Sequence, residues 1–255
     1  MKISIITVCF NSEATIRDTL DSVAQQTHSD VEHIIVDGAS SDRTMAIVRS
    51  HPAVPVHVLS EPDGGIYDAM NKGLRLATGD VVGFLNSDDT YSHGGVVAQI
   101  AAAMRPIAVD ACYGDLVLVD ANRPSHIVRY WQSRPHKAGM CARGWMPAHP
   151  TFYVRRDAYN KHGGFDTSFR IAADFEMSLR LLDVKGLRSV HLPEVLVRMR
   201  SGGESTKSVR AIVQGNLEAA RACVKHGLPA GAGFFTRKLA SKLPQLLRRP
   251  KLPAS

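Results

Sequence analysis

Val81-Val82-Gly83-Phe84-Leu85 runs directly into Asn86-Ser87-Asp88-Asp89, so a short apolar run delivers two adjacent carboxylates at its end. An apolar run of this length, bounded by polar residues, fits a strand buried on both faces. Neighbouring carboxylates repel each other unless a cation or hydrogen-bond donors neutralise them. Carboxylate oxygens combined with diphosphate oxygens suit Mg²⁺ or Mn²⁺, and such a cation stabilises a nucleoside-diphosphate leaving group as its charge develops.

Towards the N-terminus the same pattern repeats. Lys2 to Cys9, Val31 to Val36 and Val56 to Leu59 are further β-rich runs. Between them lie helical patterns. One, with Ser12 as its expected N-cap, carries Ala14, Ile16, Leu20 and Val23; another spans Arg43 to Ser50; a third spans Ile66 to Ala77 and ends by Gly79. Short apolar strands separated by helices imply βαβ units, hence an α/β fold with a mostly parallel sheet flanked by helices. Ligands of such sheets sit beyond the carboxyl ends of the strands. The polar clusters Asn11-Ser12, Asp37 to Asp42, Glu61 to Gly65 and Asn86 to Asp89 all fall at those ends.

After Tyr91 the alternation weakens. Ala111 to Val119 and Thr151 to Val154 read as strands. Asp174 to Asp183 reads as a helix, with Phe175, Leu179 and Leu182 at spacings of four and three, and Thr206 to Val224 reads as another. Gly227 to Gly233 reads as a hinge. Phe234 to Leu247 is a basic amphipathic stretch that Pro244 would disturb.

Composition excludes several classes. A chain of 255 residues, 44% hydrophobic and 22% charged, is an ordinary globular sequence. Its net charge of +7 is uneven: Ser201 to Ser255 hold ten Lys/Arg and two Asp/Glu. The first 200 residues are therefore close to neutral, which argues against a nucleic-acid-binding core and points to a tail that meets an anionic surface. Cys9, Cys112, Cys141 and Cys223 have no C-x-x-C spacing and read as free thiols in a reducing compartment. The apolar N-terminus turns polar too soon for a signal peptide, and no run approaches the ~18 apolar residues of a membrane span. The expectation is a cytoplasmic protein. His28, His33, His51 and His57 lack metal-ligand spacing and read as structural.

Other candidate site residues follow from position. Asp37 closes the second strand, where a carboxylate can accept from a nucleobase N–H. Asp42, in the same loop, can cap the next helix. The loop Glu61 to Gly65 enters a helix and can offer backbone donors to phosphate or ribose, with Lys72 as a candidate phosphate partner. No G-x-x-x-x-G-K-[ST] and no G-x-G-x-x-G after a strand occurs, which counts against a P-loop NTPase and a dinucleotide oxidoreductase.

Thr7-Val8-Cys9-Phe10-Asn11, Asp37-Gly38-Ala39-Ser40-Ser41-Asp42-Arg43-Thr44, the run Glu61 to Gly73 and Leu85-Asn86-Ser87-Asp88-Asp89 together resemble family 2 glycosyltransferases. The resemblance is to the bacterial branch that builds exopolysaccharides, O-antigens and glycolipids, and it covers roughly residues 2 to 200. It implies the GT-A (Rossmann-like) fold over residues 1–205, with 1–110 as a nucleotide-sugar half, 111–205 as an acceptor half, and 206–255 as a basic helical tail.

It also implies an inverting enzyme that uses a nucleotide sugar, with a UDP-sugar favoured, and a divalent cation. Thr7, Asn11, Asp37, Asn71, Lys72, Asn86 and Asp88 fall on nucleotide-binding positions, and Asp88 and Asp89 on the metal-handling motif, whose first acidic position is Asn86 here. Asp174 matches the general base; the other member of the family's acidic pair is Ala173 here. Asp174 and Glu176 are two apart on a helix, so only one can face an acceptor. His149 matches a position near the acceptor or diphosphate. Apart from the resemblance, His191 and Arg198 to Arg200, followed by Gly202-Gly203, can form a lid over the diphosphate, and Trp145, with Met140 and Met146 nearby, can stack against a sugar ring or lie near a lipid acceptor. Asp115 carries no assigned chemistry.

The implied acceptor is a glycan or a lipid-linked molecule, reached through peripheral docking of the basic tail at the inner face of the membrane. A nucleotidyltransferase would need a metal and an α/β domain too, but the loop after the first strand lacks the Gly-rich, basic signature usual for that class. A non-catalytic glycan- or nucleotide-binding module would be expected to have lost its base, yet Asp174 is present.

Overall fold

The computed structural model describes residues 1–53, 56–202 and 208–229 and the single positions 234, 245 and 250. Nine strands form one sheet. β1 (Ile3–Cys9) lies between β2 (Val31–Asp37) and β4 (Val81–Phe84) and is parallel to both, and β2 carries β3 (Val56–Ser60) in parallel. Every residue of β1 and of β4 is buried, as the uninterrupted apolar runs require of strands covered on both faces.

Helices α1 (Ile16–Ala24), α2 (Thr44–Ser50), α3 (Ile66–Leu76) and α4 (Val96–Met104) cover this half. α3 buries Ala69, Met70, Lys72 and Gly73. It can approach β1 only because residue 73 is glycine: a β-carbon there would collide with the Ile6 side chain. α1 starts later than expected. Ser12 is not its N-cap; the Ser12 carbonyl accepts from Thr15 and Ile16 amides at 3.0 Å, while its hydroxyl meets Ser87 at 2.9 Å. Asp42 does accept from the Thr44 amide at 2.9 Å at the start of α2.

The parallel run stops at β4. β8 (Tyr153–Arg155) adds antiparallel to β4, and β6 (Ala111–Val119) adds antiparallel to β8. β9 (Ser189–Arg200) is parallel to β6, and β5 (Thr90–Tyr91) and β7 (Ile127–Trp131) pair antiparallel with β9 and β6. The α/β class therefore holds, with a parallel nucleotide half and a mixed second half. Residue 83 is glycine because the Tyr153 ring from β8 occupies the space a β-carbon would fill.

α5 (Arg156–His162) follows β8, and α6 (Ala173–Ser178) passes into a π-turn over Leu179–Val184, where an unbroken α-helix was expected. α7 (Val209–Lys225) packs on α6 through Ala219, Ala222 and Cys223, which belong to the same buried cluster as Phe175 and Phe84. The boundary at 205/206 therefore does not set α7 apart from the domain. Beyond α7, Phe234 is buried edge-on to Phe175 at 6.0 Å. The start of the expected 206–224 helix, most of the 227–233 hinge, and the 234–247 amphipathic stretch apart from Phe234 and Gln245, with Pro244 in it, lie outside the described residues. Among the described residues no helix is long and apolar enough to cross a membrane, and all four cysteines are buried and outside any disulfide.

Candidate active site

At the carboxyl ends of β1 and β2 two loops are laced together. The Asn11 amide donates to Ser40 Oγ at 2.8 Å, and Asn11 Oδ1 accepts from the Ser41 amide at 2.9 Å. Asn11 itself takes φ +48°, a left-handed conformation that asparagine tolerates better than most residues. Asp37 is completely buried and accepts from the Ser40 amide at 3.1 Å and from Ser60 Oγ at 2.6 Å. Phe10, passed over in the sequence, is 64% exposed at this rim.

Thr7 does not belong here. It lies inside β1, wholly buried, with Oγ1 3.0 Å from Nε2 of His33. Burial lowers the pKa of that imidazole to about 3, so it stays neutral and serves the sheet.

After β4 the chain turns sharply, with the Asp89 amide donating to the Asn86 carbonyl at 3.0 Å. Thr19 Oγ1 donates to the Asp89 carbonyl at 2.8 Å and pins the turn to α1. Asn86 Nδ2 donates to Asp89 Oδ2 at 3.2 Å. Asn86 Oδ1 and Asp89 Oδ1 are buried with no hydrogen-bond partner. Burial pushes the carboxyl of Asp88 upward, and burial plus the charge of Asp88 pushes that of Asp89 well above the carboxylate range, with Arg200 opposing both shifts. Asp89 is wholly buried, whereas Asp88 keeps some exposure. Two orphaned oxygens beside under-compensated carboxylates form an all-oxygen donor set, which fits a hard divalent cation.

A second cluster, His136, Cys141 and Asp183, also has metal-type residues within 4.8 Å of one another. Its carboxylate is already satisfied: Asp183 accepts from the Gly139 and Ala142 amides at 3.0 and 2.9 Å and meets His136 at 2.8 Å. It reads as a loop clamp.

On the other side, Asp174 lies in the first turn of α6 and Oδ1 accepts from the Phe175 amide at 2.7 Å. Glu176 points the opposite way, almost fully buried against Arg180 at 3.0 Å and His226 at 2.7 Å. The segment before Asp174 is fastened from two directions. Tyr67 donates to the Ile171 carbonyl at 2.7 Å. Glu218 of α7 accepts from the Ile171 and Ala172 amides at 2.8 and 2.9 Å. Neither fastening has a local signal in the sequence.

Asp174, Asn86, His149, Trp145 and Arg200 line one cleft of about 340 Å³ between the two halves of the sheet. His149 is buried, stacked on Phe84 at 5.5 Å with both ring nitrogens unpartnered. Burial lowers its pKa, partly countered by the charge of Asp174. Trp145 stacks on His136 at 5.9 Å. Arg200 is ion-paired with Asp18. Trp131 also lines the cleft and was missed because its strand, β7, carries little periodic signal.

Three further expectations need revision. Asn71 spends its side chain on Phe165, donating to the carbonyl and accepting from the amide, both at 2.8 Å, and so joins the halves. Lys72 is turned back onto its own loop, bonded to the Pro62 carbonyl at 2.7 Å and paired with Glu61 at 2.8 Å. His191 contacts Asp115 at 3.0 Å and stacks on Tyr113, an arrangement that also takes in Tyr130 and the Ser133 amide. Its place in β9 keeps it out of any lid. Gly203 lies outside the described residues.

Comparison with known proteins gives the family and the fold. Residues 4–169 match the model of the family "Glycosyl transferase family 2". The chain is 35% identical over 182 residues to the uncharacterized glycosyltransferase Rv1514c of Mycobacterium tuberculosis, covering 70% of this chain and 68% of that protein. It is 28% identical over 210 residues to the PGL/p-HBAD biosynthesis glycosyltransferase of Mycobacterium bovis BCG, covering 81% and 79%. Among solved structures, S. aureus TarS 1-349 superposes with a TM-score of 0.67 at 20% identity, over 94% of this chain and 71% of TarS. The mannosyltransferase PcManGT of Pyrobaculum calidifontis, solved with GDP-Man and Mn²⁺, superposes with a TM-score of 0.65 at 20% identity, over 94% and 68%. Matched by that family over residues 4–169 and related to these glycosyltransferases over most of its length, the chain belongs to glycosyl transferase family 2 and is a glycosyltransferase.

Proposed function

We propose that the enzyme transfers a sugar from a nucleoside-diphosphate sugar, with a UDP-sugar preferred, to a hydroxyl of a glycan or lipid-linked acceptor, inverting the anomeric configuration. The observation that carries this reading is that Asp174 and Asn86, contributed by opposite halves of the sheet, line the same cleft with Arg200 beside them. The names of TarS in complex with UDP-GlcNAc and of PcManGT with GDP-Man and Mn²⁺ support a nucleotide-sugar donor and a divalent cation.

In this mechanism Asp37, at the end of β2, reads the nucleobase by exchanging a bond from Ser40 or Ser60 for one from the base, and the laced loops at Asn11 flank the nucleotide. Asp88, with the orphaned oxygens of Asp89 and Asn86 behind it, would hold Mn²⁺ or Mg²⁺. When bound, the cation neutralises charge on the departing diphosphate. Asp174 takes the proton of the acceptor hydroxyl as that oxygen attacks the anomeric carbon. The bond from the anomeric carbon to the diphosphate oxygen breaks, and the electron pair leaves with the nucleoside diphosphate. One displacement inverts the centre. Arg200 is placed to meet negative charge at the cleft, and neutral His149, with two free ring nitrogens, can bond either the acceptor or the diphosphate.

The cellular setting proposed is polysaccharide or glycolipid synthesis at the cytoplasmic face of the membrane, with the basic end of the chain on anionic lipid. Incubation with UDP-sugars and Mn²⁺ should release UDP slowly, and Asp88→Ala should abolish the metal-dependent part. No release from any nucleotide sugar, with Asp88→Ala binding UDP as tightly as the unsubstituted protein, would overturn the reading.

A further inference from the structure

The cleft has two chemically different walls. Around the turn after β4 and the start of α6 it offers Asn86, Asp174, His149 and Arg200. Along β6, β7, β9, the loop before β8 and α7 it offers Leu118, Trp131, Trp145, Met146, Met199 and Ile212. Leu118 and Met199 are register partners across β6 and β9, so they form one continuous apolar patch. The charged side chain on that wall, Arg129, lies across the face of Trp131 at 5.2 Å and donates to Gln245 at 2.7 Å. Its polarity is thus turned to the protein. Besides Arg129 and its partner Gln245, Asn216 is the polar side chain that α7 adds to this wall. A second sugar ring would need donors and acceptors around its several hydroxyls, and a site with few of them leaves those hydroxyls unpaired.

The apolar track also has an exit. Ile212 lines the cleft yet is 45% exposed, and Val209, Val213 and Leu217 continue from it along α7 at 79%, 51% and 59% exposure. These four fall within one broad helical face. α7 is held to the segment before Asp174 through Glu218, so the track starts beside the proposed base.

Resting on the glycosyl-transfer reading above, we infer that the acceptor carries a hydrophobic aglycone, alkyl or aryl, which packs between Trp131 and Trp145 and leaves the cleft along the apolar face of α7.

The chain has two tryptophans, and both line this cleft, so its intrinsic fluorescence reports on this site. The full chain is titrated with methyl, phenyl and n-octyl β-D-glucosides below the micelle concentration of the last. The expected result is a spectral shift with octyl or phenyl glucoside at a half-saturation at least about tenfold below that of methyl glucoside. A lower value for octyl assigns an alkyl chain, and a lower value for phenyl assigns an aromatic group. Trp131→Phe and Trp145→Phe, each leaving one reporter, show which wall responds. Equal half-saturation for all three glucosides, or no response to any, would overturn the inference. UDP release without acceptor, measured on the same preparation, tests the donor reading separately: release combined with indifference to the aglycone sinks only the inference.

Discussion

Replacing Glu218 with alanine is expected to damage the enzyme from a distance. Its carboxylate accepts from two consecutive amides, those of Ile171 and Ala172, at 2.8 and 2.9 Å, and the side chain is 9% exposed. Without it, two amides immediately before α6 lose their acceptor. A donor left unsatisfied costs roughly 1–3 kcal/mol when buried. Glu218→Ala should therefore lose about 2–4 kcal/mol, with some recovery through water at the residual exposure. For a chain of this size that corresponds to a fall in Tm of about 5–15 °C.

The pH dependence of that loss has a definite sign. Burial alone would raise the Glu218 pKa, but the Ile171 and Ala172 amides and Gln214 bring it below the ordinary value of 4.5. A depressed carboxyl contributes stability above its unfolded pKa and loses it as pH falls through the lowered folded pKa. The Tm gap between Glu218→Ala and the unsubstituted protein should thus be full near neutrality and narrow in acid below about pH 4. Glu218→Gln keeps an acceptor oxygen and should recover most of the stability at neutral pH. Because the freed segment positions Asp174, kcat should fall in the alanine variant more than the KM for donor rises. Scanning calorimetry at several pH values and UDP-release kinetics measure both effects. An alanine variant with unchanged Tm and unchanged kcat, or a glutamine variant as damaged as the alanine one, would refute the reasoning.

Asp174→Asn should lower kcat by about 10²–10⁴-fold, the usual contribution of a positioned base, while the donor KM and Tm change little; steady-state kinetics decide this. Gly83→Ala forces a methyl group into the Tyr153 ring and should cost about 1–3 kcal/mol or more, read as a lower urea midpoint. Asn71→Ala removes both bonds to Phe165 and should lose about 1–3 kcal/mol while leaving the affinity for UDP within about twofold by titration, a difference of ~0.4 kcal/mol.

The parallel half of the fold was readable because each of its strands is a short apolar run with both faces covered and a helix between it and the next. In the second half β6 was readable at its full length and β8 to within two residues, but β5, β7 and β9 were not. β5 has two residues, too few to show a period, and its partner lies more than a hundred residues away. The π-turn after α6 keeps the apolar spacing of an α-helix, so nothing in Leu179–Val184 announces it.

At the site, the contrast between Asp174 and Glu176 followed from helical geometry, and the two side chains do point to different surroundings. Thr7 was misjudged because both faces of β1 are buried, so alternation did not tell which side it faces. Asn71 and Lys72 look like ligand residues by type, but a half-buried amide and a buried ammonium are equally useful for joining chain segments. Glu218, Tyr67 and Trp131 act through contacts that only the folded chain brings about.

The acidic turn is held at its far end by β5, whose Thr90 and Tyr91 pair with Arg198 and Val197 at the end of β9. During synthesis, then, the nucleotide half can emerge and form its parallel strands while the turn bearing Asp88 and Asp89 still lacks its partner. That pairing spans more than a hundred residues, and such closures are slow and entropically costly. A ribosome-bound chain arrested before residue 200 should possess a sheet but not the finished turn proposed to hold Mn²⁺, so on that proposal competence to bind the ion marks the moment at which the last strand has been threaded into place.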